Sequence, residues 1–141
     1  TDIWNSVCAV IKTIVDDHGA PDGIAISNQR ETLVIWDAQT SEPICPAPIW
    51  QCRRTADVSA KLIADGHDPT VVAATGLGIN PLFPASKVGW VMRHVPEAKP
   101  LLDAGRLRFG TVDSWLLWKL TGGAIHVGGR VVELGRGTVS L

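Results

Sequence analysis

No apolar run in this sequence of 141 residues approaches the roughly 20 residues that a membrane-spanning helix needs. The amino terminus also lacks a basic segment followed by an apolar stretch, so it does not read as a signal peptide, and a cytoplasmic protein is expected. Charge of one sign is missing too. Thirteen basic side chains stand against fourteen acidic ones, a net charge of -1, which leaves no electrostatic footprint for nucleic acid or an anionic membrane and favours small neutral partners. Cys8, Cys45 and Cys52 are odd in number and contain no Cys-x-x-Cys pair, so neither a disulfide framework nor a zinc site is expected, and they read as small buried hydrophobes. His18, His67, His94 and His126 are scattered without metal-ligand spacing, and no metal is assigned. A Gly-x-x-x-x-Gly-Lys-Ser/Thr phosphate loop is absent, and Gly76-Leu77-Gly78 lacks the third glycine of a dinucleotide fingerprint. No Gly-x-Ser-x-Gly nucleophile elbow exists either, so no catalytic or cofactor-binding residue is assigned from motifs.

What is present suits one modest folded domain, because 45% of the residues are hydrophobic and 19% charged. Ile3, Val7, Val10, Ile11, Ile14 and Val15 recur at helical spacing, predicting an amphipathic helix from Asp2 to Asp17 that stops at His18-Gly19. Gly23 to Ser27 is a short apolar run between breakers and reads as a buried strand. Thr32 to Trp36 reads as a second strand, with turn chemistry over residues 37–41, and Pro43, Pro46 and Pro48 then keep the chain extended and near an edge. Helices are expected over Thr55 to Ala64 and Pro84 to Val95, and a strand over Arg106 to Gly110. A last helix runs through Trp115 to Leu120, with Asp113 as its cap. This alternation predicts an α/β domain with a mixed sheet flanked by helices. Internal repeats and low-complexity linkers are absent, and residues 128–141 differ in texture, with four glycines and no period.

The block Asn28-Gln29-Arg30-Glu31-Thr32 leaves the carboxyl end of a strand candidate, where open α/β sheets bind ligands. An Arg beside a Glu offers donors and acceptors together, as a polyol requires, and the pair nearly cancels its own charge. A plain turn with solvated charges fits the same pattern, and pattern alone does not decide.

Several blocks in order carry a resemblance. Asn28-Gln29-Arg30-Glu31-Thr32, Val34-Ile35-Trp36-Asp37, Ile49-Trp50-Gln51-Cys52-Arg53-Arg54-Thr55, Pro81 to Trp90 and Phe109 to Gly123 together resemble the glycerol kinase branch of the FGGY carbohydrate kinase family. The likeness covers residues 1–127, and 128–141 is expected to be a divergent, non-native tail. It implies part of a ribonuclease H-like, actin-like ATPase amino-terminal domain. It also implies transfer of the γ-phosphoryl group of magnesium ATP to glycerol, and a homo-oligomeric parent. By the same resemblance Arg30 and Glu31 bind the polyol hydroxyls, Trp50 packs on its carbon skeleton, and Leu82 stands where the family usually has a tyrosine of the glycerol site. The family's base, phosphate-binding hairpin and most of its ATP site have no counterpart here, so the piece alone is expected to be inactive and to bind neither ATP nor magnesium well. Leu82 keeps open another small polyol or sugar as substrate, and the missing parts keep open a non-catalytic remnant. Trp36, Trp90, Trp115 and Trp118 are expected in the core, Arg53 and Arg54 as solvated or structurally paired, and Lys87 as a helix charge.

Overall fold

A computed structural model describes residues 2–126. The elements in chain order are α1 (Asp2–His18), β1 (Leu33–Asp37), α2 (Ala56–Ala64), α3 (Asp68–Thr75), α4 (Pro84–His94), α5 (Ala98–Asp103), β2 (Leu107–Thr111) and α6 (Val112–Leu120). The strands pair antiparallel, with Leu33 opposite Thr111, Ile35 opposite Phe109 and Asp37 opposite Leu107. Of the mixed sheet expected, the described residues contain this one antiparallel ribbon.

A two-stranded ribbon is marginal in water, and this one is stabilised by helices on both faces. Leu33, Ile35, Leu107 and Phe109 point to one side and pack with Val88 and Val91 of α4 and Ala98 of α5. Val34 and Trp36 point to the other and pack with Val112, Trp115, Leu116 and Trp118 of α6. Coverage on both faces explains why all five residues of β1 are buried instead of every second one. Each such aliphatic side chain contributes about 1.5–3 kcal/mol by leaving water. The β2–α6 corner is equally tight: a Cβ on Gly110 would stand 2.7 Å from Ser114 Cβ.

The turn after β1 is fixed to α6 by two indoles. Trp115 Nε1 donates to the Ser41 carbonyl at 3.0 Å and Trp118 Nε1 to Ser41 Oγ at 2.9 Å. Asp37 accepts from the Gln39 amide at 3.0 Å and from Arg106 Nε at 2.9 Å, with a second bond from Arg106 Nη2. The Arg106 hydrogen bond, against the opposing effect of burial, holds the Asp37 carboxyl below its ordinary value of 3.8.

Several expectations need correction. Gly23 to Ser27 is not a strand, and Ile24 is exposed. The far edge of β1 is already taken by the proline-rich segment, where the Leu33 amide donates to Pro48 O at 3.1 Å and the Ile44 amide to Ile35 O at 3.0 Å. No β1 edge is left for residues 23–27, and an unpaired segment is not a strand. Asp113 is not the cap of α6; Thr111 holds that position, and the Asp113 carboxylate in the first turn accepts the Thr111 hydroxyl. Cys8 is exposed and Cys45 and Cys52 are half-buried, so none is a fully buried hydrophobe. Helices α3 and α5 were not expected from periodicity, though Pro69 at the start of α3 and left-handed Gly76 at its end are ordinary boundary signals. The tail expected over 128–141 lies outside the described residues.

Candidate functional site

The segment Asn28–Thr32 enters β1 through a turn at Arg30 and Glu31. Arg30 is exposed, while Glu31 is half-buried and adopts a φ of 65°, the left-handed region in which a residue with a Cβ is disfavoured. Such a conformation costs on the order of 1–3 kcal/mol and persists only where neighbours hold it. Two neighbours do. At one end Asn28 hydrogen-bonds the Asp113 carboxylate; burial pushes that group up, but the bonds from Thr111, Asn28 and nearby backbone amides outweigh it and leave its pKa lowered. At the other end Lys87 Nζ lies 3.4 Å from the Glu31 carbonyl oxygen.

The same ammonium donates to the Leu82 carbonyl at 2.6 Å, joining the segment before α4 to the Arg30–Glu31 turn. Trp50 belongs to a third segment, which the bond from the Leu33 amide to Pro48 ties to the start of β1. Residues distant in sequence are therefore gathered by backbone contacts around the entry to β1. Trp50 is 44% exposed and Leu82 half-buried. An exposed indole can in general cover the C–H side of a small polyol while charged groups collect its hydroxyls.

Lys87, expected as a helix charge, does lie on α4, but it is 0% exposed, a burial that the sequence did not announce. Burial lowers its pKa, and the nearby Cys52 and Glu31 work against that shift. Its neighbour Ser86 bonds the buried Thr55 hydroxyl at 2.8 Å, anchoring α4 to the Trp50 segment's far end. Arg54 pairs locally, its Nε 2.9 Å from Cys52 Sγ and its guanidinium 4.4 Å above the Trp90 ring. Burial raises the Cys52 pKa, but the bonds from Arg54 and the charges of Arg54 and Lys87 bring it down overall. Trp36, Trp115 and Trp118 are core residues, and Trp90 is half-buried against the α4 side of the core.

Two clefts lie elsewhere. One of about 290 Å³ runs between α1, residues 24–27 and α6, and another of about 660 Å³ between Asp37, Glu42 and Leu101; Arg30, Glu31, Trp50 and Leu82 line neither. Among the described residues no group of three or more His, Cys, Asp or Glu side chains could hold a metal ion. None of the described helices is long and apolar enough to cross a membrane.

Residues 1–131 match the profile of the FGGY family of carbohydrate kinases, N-terminal domain. The chain is 50% identical over 129 residues to glycerol kinase of Bradyrhizobium sp. strain BTAi1, an alignment covering 89% of this chain and 26% of that protein. Glycerol kinase of Symbiobacterium thermophilum is 43% identical over 129 residues, with the same coverage of 89% and 26%. The chain thus spans about a quarter of the length of these curated relatives. The structure superposes on the crystal structure of Plasmodium falciparum glycerol kinase with ADP at a TM-score of 0.71 and 30% identity, covering 86% of this chain and 24% of that one. The fold is that of the actin-like ATPase amino-terminal domain.

Proposed function

Because the chain belongs to the FGGY family of carbohydrate kinases, we propose that it supplies the polyol-holding surface of a kinase that transfers the ATP γ-phosphoryl group to glycerol, giving glycerol 3-phosphate. The observation that carries this reading is the Arg30–Glu31 turn, held in a left-handed conformation beside the Leu82 segment by one buried lysine. In it Arg30 donates to the polyol, Glu31 accepts from it and Trp50 covers its carbon face, so that a terminal hydroxyl is presented for transfer. These are binding roles. The chain's own residues hold and orient the polyol; no proton acceptor is assigned among them.

The purified 141-residue chain is expected to show no ATP-dependent glycerol phosphorylation above a heat-treated control. A chimera tests the binding roles, with residues 2–126 replacing the matching segment of the Bradyrhizobium kinase. In that chimera Arg30→Ala, which removes charge-assisted hydrogen bonds, should lower kcat/KM for glycerol by on the order of 10- to 1000-fold. Unchanged kinetics would make the pair an ordinary surface turn.

A second reading, another short polyol as substrate, is favoured by Leu82, which offers no hydroxyl to the substrate. Restoring a phenol with Leu82→Tyr in the chimera should raise the preference for glycerol over other short polyols by roughly 5- to 150-fold. An unchanged ratio in a folded variant would show that position 82 does not face the substrate.

A further inference from the structure

Lys87 is fully buried on α4, yet among the described residues no carboxylate accepts from its ammonium; its partners there are two backbone carbonyls from different segments. A buried charge without a carboxylate partner is expensive, and a methionine would fill similar space without that cost. An ammonium, however, has three donors and can bind two carbonyls at once, which a hydrocarbon cannot. The two carbonyls it joins are those of Glu31 and Leu82, fifty-one positions apart in sequence and both belonging to residues of the proposed polyol-holding surface. The Glu31 contact falls at the one residue of that turn with a positive φ. Around the ammonium stand Cys52, Glu31 and Arg54, all from the segments that carry the candidate residues.

We propose that Lys87 is a positioning residue for the substrate site, fixing the Arg30–Glu31 turn and the Leu82 segment at one separation without touching the polyol itself. The proposal rests on the polyol-holding reading for its catalytic consequence, but its structural half stands on the chain alone. A purely stabilising lysine would affect the whole core equally, whereas a positioning lysine acts on the two segments it joins.

Hydrogen exchange of the 141-residue chain separates these. In Lys87→Met, the hydrogen-bonded amides at the two joined segments, Leu33, Leu82 and Phe83, should exchange faster by on the order of tenfold, while the amides between β1 and β2 change little, and Lys87→Arg should restore part of the protection. Uniform acceleration across the ribbon, or none at the two segments, would overturn the proposal. If Lys87→Met does not fold, Lys87→Arg and Lys87→Gln are compared instead, and equal segment exchange in both overturns it. In the chimera described above, Lys87→Met should raise the KM for glycerol by roughly tenfold, with a smaller change in KM for ATP and partial rescue by arginine. An equal rise for both substrates counts against positioning at this site. A folded chimera with native Lys87 and no turnover of any short polyol sinks the polyol reading instead, and the exchange data then decide the role of Lys87.

Discussion

Helices α1 and α6 are both rich in apolar residues, but α6 buries Val112, Ser114, Trp115, Leu116 and Trp118 while α1 has no buried residue at all. The difference is not one of sequence quality. Helix α1 has the cleaner amphipathic stripe, and α6 is apolar nearly all round. What separates them is partnership. Helix α6 follows β2 directly, so the chain delivers it onto one face of the ribbon with Trp36 waiting; α1 is joined to β1 through residues 19–32, which form no strand, and packs against the ribbon-side cluster through Trp4 and Val7. Its remaining stripe borders the cleft against residues 24–27. An apolar pattern therefore specifies a helix, and only topology specifies what covers it.

The comparison breaks most visibly if the ribbon tolerates truncation. Leu107 is 1% exposed between β1 and α5, and Leu107→Ala should cost about 2–5 kcal/mol through lost burial and the cavity left behind. The urea midpoint reads this, provided the slope is unchanged. Ile14→Ala on α1 is the matched control, expected to shift the midpoint far less. Equal shifts would mean that α1 is as well packed as the ribbon. Next in size is overpacking at the β2–α6 corner. Gly110→Ala places a Cβ against Ser114 and Trp36 and should destabilise by about 1–3 kcal/mol, with Gly110→Ala combined with Ser114→Gly recovering much of it.

Acid sharpens the contrast electrostatically. The Asp37 carboxyl is buried and held below 3.8 by Arg106, so the stability it contributes is present above that value and is lost as pH falls through the lower folded pKa. The Lys12–Asp16 pair on α1 is as short, at 2.5 Å, but both side chains are mostly exposed, and pairs of that kind contribute little. Thermal unfolding followed from pH 5 to pH 2 should therefore show an acid-side loss that Arg106→Gln reduces and Lys12→Ala does not.

Most of the tight region was legible in the sequence. The strand at Thr32–Trp36, the strand at Arg106–Gly110 and the helix at Pro84–Val95 all coincide with observed elements to within a residue or so, because β-branched runs, prolines and glycines mark them locally. Gly23–Ser27 failed for a non-local reason: strand pairing needs a partner edge, and nothing in five mostly apolar residues announces that Pro48 and Ile44 already occupy the outer edge of β1. The site divides the same way. The chemistry of Arg30, Glu31 and Trp50 can be read from residue type and from likeness to a family. Lys87 cannot, because a lysine on a helix is ordinarily solvated, and its burial depends on where two backbone carbonyls 51 residues apart come to rest.

The smallest expected effect is the most informative about α1. Val10 is 59% exposed at the centre of its stripe, so Val10→Ser removes little surface that folding had taken from water, and the two residues have similar helix propensity. In dilute solution the cost should stay below about 0.5 kcal/mol, the range of ordinary surface changes. If the same face were covered in solution, the lost burial of a valine would raise that toward 1.5 kcal/mol or more, on the order of a whole buried side chain. Concentration distinguishes the causes. A cost that grows with protein concentration would place a second copy of the chain on α1, because only the associated state is stabilised by mass action. A large cost independent of concentration would mean that α1 is packed within the chain itself, and the contrast between the two helices would then be withdrawn.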